Sequence, residues 1–433
     1  MNHPTEPVPD PVNDGRDRRV LAWVGAGLLA GGMPVHEVED DVRDVARALG
    51  HPGAQVACSP TGLLVSLASG GPSTFEQVEG GLRLDQLADV LALAASLRAG
   101  RVDADECLAR LAGLRAQPHR YRTVGFVGGA MLSGIGIGLV LAPSVASLLF
   151  TLVVAPLTPL FVLLLGRGRT LRTLTPFLAG FVVAVLAFLA AELGWVDAPL
   201  RTLVAPIAVL LPGALIVTGL TELAAGAMVA GSSRLSFGLV QLLLFVLGVG
   251  AALAVTGGGA DLLGTTSSGA PGWWAPLAGL VVVTVAIALL ESVPLRQAPW
   301  LAAGILATFT AQALTLAVVD ARWAGAFVGA VVAALLSTLI EYLRPELPRM
   351  VTFLPSFWLL VPGSLGLISM AQFEVGPGQA AIALVDVVIV VAAIALGVIV
   401  GAALAAPLRR LARPMALSHL RGLRAARRRR QGA

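Results

Sequence analysis

The sequence predicts an all-α polytopic membrane protein with ten transmembrane helices in two inverted five-helix repeats, preceded by a small cytoplasmic α+β domain. Three observations predict this fold. Hydrophobic residues make up 56% of the 433 residues and charged residues only 13%, against roughly 45–50% and about 25% in soluble domains. The acidic residues concentrate before residue 119, and apolar stretches of spanning length follow it. A Pro-Gly motif in the fourth apolar stretch recurs in the ninth, 150 positions later.

The first part of the chain is predicted to hold a disordered arm, 1–17, and the α+β domain, 18–118. The arm is rich in Pro and Asp, a composition that favours disorder. Apolar periodicity and turn residues predict four helices and three strands in the domain, in the order 20–33, 35–49, strands 54–58, 63–68 and 75–79, then 85–99 and 103–114. Cys58 and Cys107 fit no metal or disulfide pattern, and we interpret them as small apolar residues.

The rest of the chain is predicted to form a first membrane half, 119–270, a second membrane half, 271–408, and a basic cytoplasmic tail, 409–433. Each half holds five apolar stretches of about the 20 residues that a span needs. The first-half spans are 124–142, 145–165, 174–191, 203–220 and 235–256. The second-half spans are 273–290, 300–319, 323–339, 351–371 and 380–406.

Arginine in the short loops predicts the orientation, because Arg-bearing loops tend to stay in the cytoplasm. Arginines precede the first span and follow the second, fourth, sixth, eighth and tenth; Arg234 is the one that follows the fourth. The loops on the opposite face carry Arg201 and Arg322 among several acids. Both termini are therefore predicted to be cytoplasmic. The arginine-rich tail is interpreted as an anchor on anionic lipid.

The internal repeat pairs Leu-Leu-Pro-Gly-Ala-Leu at 210–215 with Leu-Val-Pro-Gly-Ser-Leu at 360–365. The following spans match through Gly-Leu-Val-Gln, ending at Gln241, and Ala-Leu-Val-Asp, ending at Asp386. Five spans are an odd number, so the second half is predicted to be inverted relative to the first. Inverted repeats are typical of secondary transporters, in which exchanging the conformations of the two halves exchanges the inward and outward openings.

The repeated motif also predicts the substrate and ion pathway. Proline removes a backbone donor in mid-span, and the glycine after it permits an irregular backbone. The interrupting residues are Pro206, Pro212 and Gly213 in the fourth span and Pro355, Pro362 and Gly363 in the ninth. Matching interruptions in two halves indicate a binding site near the membrane midplane. The alternative is a pair of packing kinks inherited by duplication.

Polar groups within spans are costly in lipid and usually functional. Asp386, some seven residues into the tenth span, is the deepest acid and a candidate proton carrier, with Gln241 as its mate in the first half. Gln312 in the seventh span is a further pathway candidate. The remaining acids, Glu222, Glu291 and Glu341, fall nearer the cytoplasmic ends of their spans and are interpreted as interfacial carboxylates.

The segment Gly-Met-Pro-Val-His-Glu-Val-Glu at 32–39, the turn Pro-Thr-Gly-Leu at 60–63 and the two Pro-Gly spans resemble the threonine/serine exporter family. The resemblance runs from about residue 18 to 410. It implies a carrier of the bacterial inner membrane that exports L-threonine and L-serine using the proton motive force. Two-chain relatives of the family are linked to dicarboxylate export.

The soluble domain carries His36, Glu37, Glu39 and Thr61 close to these motifs. The family resemblance leaves room for a hydrolase-like, regulatory or ligand-sensing role for them. However, the segment lacks the second His of a zinc helix and shows no nucleophile–His–acid spacing. Pro34 followed by acids is also typical of an ordinary helix start.

We therefore expect a proton-coupled exporter of small polar amino acids, with no enzyme activity, cofactor, metal or nucleic-acid partner. Its partners are the substrate, the lipid bilayer and protons, and the sequence leaves its oligomeric state open. Three alternatives remain at this point: a dicarboxylate exporter of the same fold, a membrane-anchored enzyme or sensor that acts through the N-terminal domain, and a channel.

Overall fold

The computed structural model describes residues 11–141, 144–165, 168–257, 272, 274–344, 347–358 and 385–407. These residues are mostly helical. They divide into two compact units, one formed mainly by residues up to Gln117 and a second that begins at Pro118.

The first unit combines four helices with a three-stranded antiparallel sheet, the α+β class that the sequence predicts. Its helices are α1 (Pro11–Ala30), α2 (Val35–Leu49), α3 (Leu84–Arg98) and α4 (Ala104–Leu114), and its strands are β1 (Gln55–Ser59), β2 (Gly62–Ser66) and β3 (Ser73–Gln77). The strand order is β1-β2-β3. Val65 of β2 pairs with Val56 of β1 on one side and with Thr74 of β3 on the other.

Helix α1 is the centre of this unit, because it contacts α2, α3, α4, β2 and β3. Leu21 and Leu28 on α1 are completely buried. Helix α2 buries one apolar face through Val38, Val42 and related valines at helical spacing. It ends at Gly50 with a φ of 102°, a left-handed conformation that glycine adopts at little cost.

The start of α1 corrects the predicted disordered arm. The chain is already helical from Pro11, so residues 11–17 belong to the folded domain. Asp17 is 8% exposed, and its carboxylate lies 3.0 Å from Nε2 of His51. This long-range contact gives a polar, Pro-rich segment a reason to order that its composition does not reveal.

The second unit contains the apolar helices, which agree with a polytopic membrane protein. They are α5 (Arg122–Leu141), α6 (Val145–Val154), α7 (Leu157–Leu165), α8 (Arg169–Glu192), α9 (Pro199–Thr202), α10 (Val204–Ile207), α11 (Gly213–Ala224), α12 (Met228–Thr256), α13 (Trp274–Leu290), α14 (Ala298–Val319), α15 (Arg322–Leu343), α16 (Arg349–Trp358) and α17 (Val385–Pro407). Among the described residues, seven helices are long and apolar enough to cross a membrane, with α6 and α7 together counting as one, or eight if a bent pair formed by 199–210 and 213–224 is one span.

The predicted fourth span is that bent pair, and the predicted sixth span is the shorter helix α13. The predicted ninth span begins in α16, and most of its remainder, with Pro362 and Gly363, lies outside the described residues. The same holds for the first residues of the tenth span and for the basic tail beyond Pro407. The count of ten spans therefore stays a prediction.

Helices α5 and α13 pack closely because glycines bring their backbones together. A Cβ added at Gly129 would lie 2.7 Å from the backbone nitrogen of Leu290, and one added at Gly136 would lie 2.9 Å from that of Val283. The residue numbers of these contacts rise along α5 while those of their partners fall along α13, so the two helices are antiparallel. Small residues at such crossings let van der Waals packing drive association in lipid, where hydrophobic burial contributes little.

Glycines also join the third and last helices of each predicted half. A Cβ added at Gly248 of α12 would overlap the carbonyl oxygen of Phe177 in α8. A Cβ added at Gly397 of α17 would lie 2.5 Å from the carbonyl oxygen of Phe327 in α15. One hydrophobic core links these helices, since residues of α8, α11 and α12 share it with residues of α15 and α17.

Candidate functional site

The predicted fourth span is broken where its prolines stand. The chain runs through α9 and α10 into a 3-10 turn at Ala208–Leu210, and Leu211 is then extended, with φ −68° and ψ 135°. Helix α11 starts at Gly213, and the axes on the two sides of the break differ by 66°. Pro206 and Pro212 explain the break, because neither can donate a backbone hydrogen bond and each disfavours helical conformation in the residue before it.

Buried hydroxyls surround this break. Thr158 of α7 donates a hydrogen bond to the carbonyl oxygen of Pro206. The Thr202 hydroxyl, one turn earlier, donates to Oγ of Ser147 in α6 at 2.7 Å. All three side chains belong to residues that are 2% exposed or less. They satisfy backbone and side-chain polar groups that lipid could not.

The sequence analysis did not single out these hydroxyls. Their only signal was the presence of Ser and Thr within apolar spans, a weak one because such residues often bond to their own helix. Thr151 does so, since its hydroxyl donates to the Ser147 carbonyl at 2.8 Å. The hydroxyls of Thr158 and Thr202 differ from such local ones because each donates a hydrogen bond to another helix.

The start of α11 is a second polar feature of the break. Pro212 and Gly213 are both buried, and the first bond of the helix runs from the nitrogen of Ile216 to the carbonyl oxygen of Pro212 at 3.1 Å. The first N–H groups of any helix have no partner inside it and carry partial positive charge. The chain therefore has a helix end that favours anions on one side of the break, and hydroxyls and a carbonyl that favour cations in the segment on the other side.

A buried ion pair closes the other end of α11. Nε of Arg234 in α12 lies 3.2 Å from Oε2 of Glu222 in α11, and the side chains are 9% and 0% exposed. Gly219 and Gly231 bring the two helices together here, since a Cβ added at Gly219 would lie 2.9 Å from the Gly231 carbonyl oxygen. An ionisable pair held inside apolar helices is a functional candidate by default.

This pair corrects two sequence interpretations. Arg234 lies inside α12, which begins at Met228, and not in a loop after the fourth span. Glu222 is completely buried, so its carboxylate is not exposed to water as an interfacial carboxylate would be. Considered alone, each charged residue is expected to be exposed, because burying an unpaired charge is costly. The fold brings the two charges together, and their pairing reduces that cost.

The other described pathway residues that the sequence predicts lie elsewhere in the second unit. Pro355 lies inside α16 and is buried. Gln241 on α12 and Gln312 on α14 are half-buried, and Asp386, near the start of the described part of α17, is exposed. The structure therefore brings Pro206, Pro212 and Gly213 together at one break, and it adds no buried contact for Asp386 among the described residues.

Two buried polar residues of the second half resemble the hydroxyls at the first break. Thr352 and Ser356 of α16 are 0% and 1% exposed, and the Ser356 hydroxyl donates to the Thr352 carbonyl oxygen at 2.8 Å. On the facing helix α14, Thr308 is completely buried, and its hydroxyl has no hydrogen-bond partner among the residues that the structure describes. These residues too escaped the sequence analysis.

In the soluble domain, the predicted site residues take structural positions. Glu39 accepts a hydrogen bond from the backbone nitrogen of Cys58 and pairs with Arg43, both at 2.9 Å. Thr61 is exposed at the β1–β2 turn, while Nδ1 of His36 is buried and has no hydrogen-bond partner. No group of three or more His, Cys, Asp or Glu side chains with metal-site geometry occurs in the described part of the chain.

The chain was compared with known proteins. A family model described as "Putative threonine/serine exporter" matches residues 19–256, which include most of the soluble domain, the broken helix and the buried ion pair. No curated protein and no solved structure matches the chain. The matched range is narrower than the resemblance noted from the motifs, but it covers more than half of the sequence. The protein is thus a membrane transporter that belongs to the threonine/serine exporter family.

Proposed function

We propose that this protein exports L-threonine and L-serine across the bacterial inner membrane by proton-coupled alternating access. The broken fourth span is the observation that carries the proposal. It has buried hydroxyls and a proline carbonyl in the segment before the break and a helix start after it, inside a membrane transporter of this family. Discontinuous helices of this kind form the substrate sites of many secondary transporters.

The chemistry of the break suits a zwitterion. The N-terminal end of α11 would receive the substrate carboxylate, because its free N–H groups point toward an anion. The carbonyl of Pro206 and the hydroxyls of Thr158 and Thr202 would receive the ammonium and hydroxyl groups, since these are hydrogen-bond donors. A small hydroxylated amino acid fits such a set of groups better than an apolar one, which would leave buried polar groups unpaired.

The packing of α5 against α13 supports two inverted halves. With the offset of 150 residues, Gly129 corresponds to Gly279 and Val140 to Leu290. Gly129 packs on the backbone nitrogen of Leu290, and Gly279 packs on that of Val140, at added-Cβ distances of 2.7 and 2.9 Å. The same contact recurs with its partners exchanged, as a twofold axis requires. Because α5 and α13 are antiparallel, that axis would lie in the membrane plane, as in inverted-topology repeats.

The contact made by the last helix of each half supports the same arrangement, with a sequence offset that is one residue shorter. Gly397 follows Gly248 by 149 positions and makes the equivalent contact. The motif match between Gln241 and Asp386 has an offset of 145, about one helical turn less. In the contact register Asp386 corresponds to Phe237, so the two polar residues are not symmetry mates. A shift of one helical turn keeps a residue on the same face of the helix, which explains why the short motif suggested that Gln241 and Asp386 are mates.

Coupling would use a carboxylate that gains and loses a proton as the halves rock. Asp386 is the candidate from the sequence, and Glu222 is the candidate from the fold because it is buried beside Arg234. The arginine-bearing loops remain the support for cytoplasmic termini.

Arg234 also supports a second candidate function, export of a dicarboxylate. A dicarboxylate carrier needs a cationic group within its helices to bind the substrate carboxylates, and Arg234 is buried in α12. Its pairing with Glu222 leaves less of its charge for a substrate, and for this reason amino-acid export is our first proposal.

The test is efflux of labelled threonine, serine and succinate from preloaded vesicles that contain the purified protein, with and without a proton gradient. We expect threonine and serine efflux that the gradient accelerates. Asp386→Asn and the double variant Glu222→Leu with Arg234→Met, which removes both charges of the buried pair, test the two candidate coupling carboxylates. Glu192→Gln, at the exposed end of α8, is the control. Efflux of succinate alone would contradict the substrate proposal, and amino-acid efflux that ignores the gradient would indicate a channel.

A further inference from the structure

Thr158 and Thr308 stand 150 positions apart, the spacing that relates the two Pro-Gly motifs. Both are buried, at 2% and 0% exposure, and each lies on the second apolar segment of its half, α7 or α14. Their hydroxyls differ. Thr158 donates to the carbonyl oxygen of Pro206, just before the first-half break, whereas Thr308 has no hydrogen-bond partner within the described part of the chain.

The surroundings of Thr308 repeat those of Thr158. Thr158 faces the segment that contains Thr202 and Pro206. The residues 150 positions after these two are Thr352 and Ser356, on α16, and α16 packs against α14. Gly304, one turn before Thr308, allows this approach, because a Cβ added there would lie 2.6 Å from Oγ of Ser356. The second half therefore holds the same hydroxyl and the same facing segment, with the connecting bond absent.

A buried hydroxyl without a partner is costly, because it has lost water and gained nothing in return. A threonine in a helix can ordinarily bond to the carbonyl four residues earlier, as Thr315 of α14 does at 2.7 Å. Thr308 does not use that bond in this conformation. Its hydroxyl is therefore available for a partner in another conformation of the protein.

We propose that Thr158 and Thr308 exchange roles during transport. In the described conformation the Thr158 hydroxyl holds the first-half break, and the Thr308 hydroxyl is released. In the opposite conformation Thr308 donates to a backbone carbonyl of α16, around Pro355 and Ser356, and Thr158 is released. The inference rests on the two inverted halves of the proposed function. With inverted halves, the inward-open and outward-open conformations are related by exchange of the conformations of the two halves.

The exchange predicts opposite effects for two equivalent substitutions. Thr158→Val removes the bond of the described conformation and shifts the equilibrium toward the opposite one. Thr308→Val removes the bond of the opposite conformation and shifts it toward the described one. Each shift should be about fivefold, the change that about 1 kcal/mol for one hydrogen bond produces. The double variant should return close to wild type because both bonds are gone.

The measurement is hydrogen exchange, followed by mass spectrometry, on the full-length protein in lipid nanodiscs. A peptide covering 204–216 reports the first-half break, and one covering 349–358 reports α16. Thr158→Val should speed exchange in the first peptide and slow it in the second, and Thr308→Val should do the reverse. Thr338→Val is the matched control, because this threonine is 3% exposed and bonds only to its own helix, at 2.9 Å. Thr→Ser variants keep the hydroxyl and should stay near wild type.

Parallel changes in both peptides, or no change, would overturn the exchange and leave Thr308 a packing residue. Loss of folding is recognised separately, since it would also speed exchange in α5 and α13. The result is independent of substrate. Opposite shifts in a protein that fails to export threonine would refute the proposed substrate and keep the exchange, while normal export with parallel shifts would refute the exchange alone.

Discussion

Breaking the Glu222–Arg234 pair should destabilise the membrane unit strongly. Glu222→Gln keeps the shape of the side chain and removes the carboxylate charge that faces Arg234, in a site where the two side chains are 0% and 9% exposed. At the 3.2 Å separation, an effective dielectric constant of about 20 gives an attraction of about 5 kcal/mol. Removing one partner of a buried pair typically costs about 3–5 kcal/mol, so we expect a loss in that range.

The double variant Glu222→Leu with Arg234→Met separates attraction from desolvation. Neither charge then has to be buried, and well-packed apolar replacements of buried pairs are often neutral or stabilising. We expect the double variant to lie within about 1 kcal/mol of wild type or above it. The coupling energy of the double-mutant cycle should therefore be large and favourable.

The assay is unfolding of the purified protein in mixed micelles by titration with a denaturing detergent. The matched control is Glu106→Gln, which breaks the exposed pair with Arg110 on α4, where the side chains are 46% and 57% exposed. Such a helix-surface pair contributes about 0.3–0.5 kcal/mol. A loss below about 1 kcal/mol for Glu222→Gln, similar to that of an exposed pair, would refute the reasoning from burial.

Three further predictions concern packing, thiol reactivity and the first helix. Gly248→Ala should lower the unfolding midpoint because its Cβ would overlap a backbone oxygen of the facing helix, whereas Gly128→Ala, with nothing within 4 Å, should be neutral. Burial raises the pKa of the Cys58 thiol to about 12 and that of Cys107 to about 11. Both should therefore resist a thiolate-directed reagent at pH 8 and react after denaturation, and fast labelling of the native protein would contradict this. Asp17→Asn should lower the free energy of unfolding of the soluble unit by about 1–3 kcal/mol, because it weakens a part-buried hydrogen bond to a histidine. Thermal unfolding measures this, and an unchanged midpoint would agree with the disordered arm that the sequence predicts for this segment.

Sequence patterns predicted the elements whose cause is local. Valines at helical spacing predicted α2, and mean hydropathy over about 20 residues predicted the long helices of the second unit. The prolines of the fourth span predicted its break. In each case the residues that form the element also carry its signal.

The sequence could not predict features that depend on a distant partner. Arg234 reads as a loop residue because a charge lowers the hydropathy of any window, and its partner Glu222 is near only once α11 and α12 fold together. Asp17 reads as part of a disordered arm because His51 is far away in the chain. The hydroxyl of Thr158 differs from that of any other threonine in a span only through Pro206, on another helix.

The membrane unit holds two kinds of polar group, hydroxyls and ionisable groups, and only the hydroxyls recur at the repeat spacing in both predicted halves. Thr158 has a counterpart in Thr308 at the repeat spacing, so the hydroxyls form a symmetric framework. The charges do not repeat. The position 150 residues after Glu222 is a glutamine, no arginine stands where the counterpart of Arg234 would fall, and Asp386 aligns with an aromatic residue in the contact register. Exchange of two equivalent halves carries no preferred direction by itself, and a coupled exporter needs an asymmetry that responds to protons. If the proposed function and the proposed exchange hold, the hydroxyls would provide the exchange between conformations, and the unmatched ionisable groups would provide the coupling.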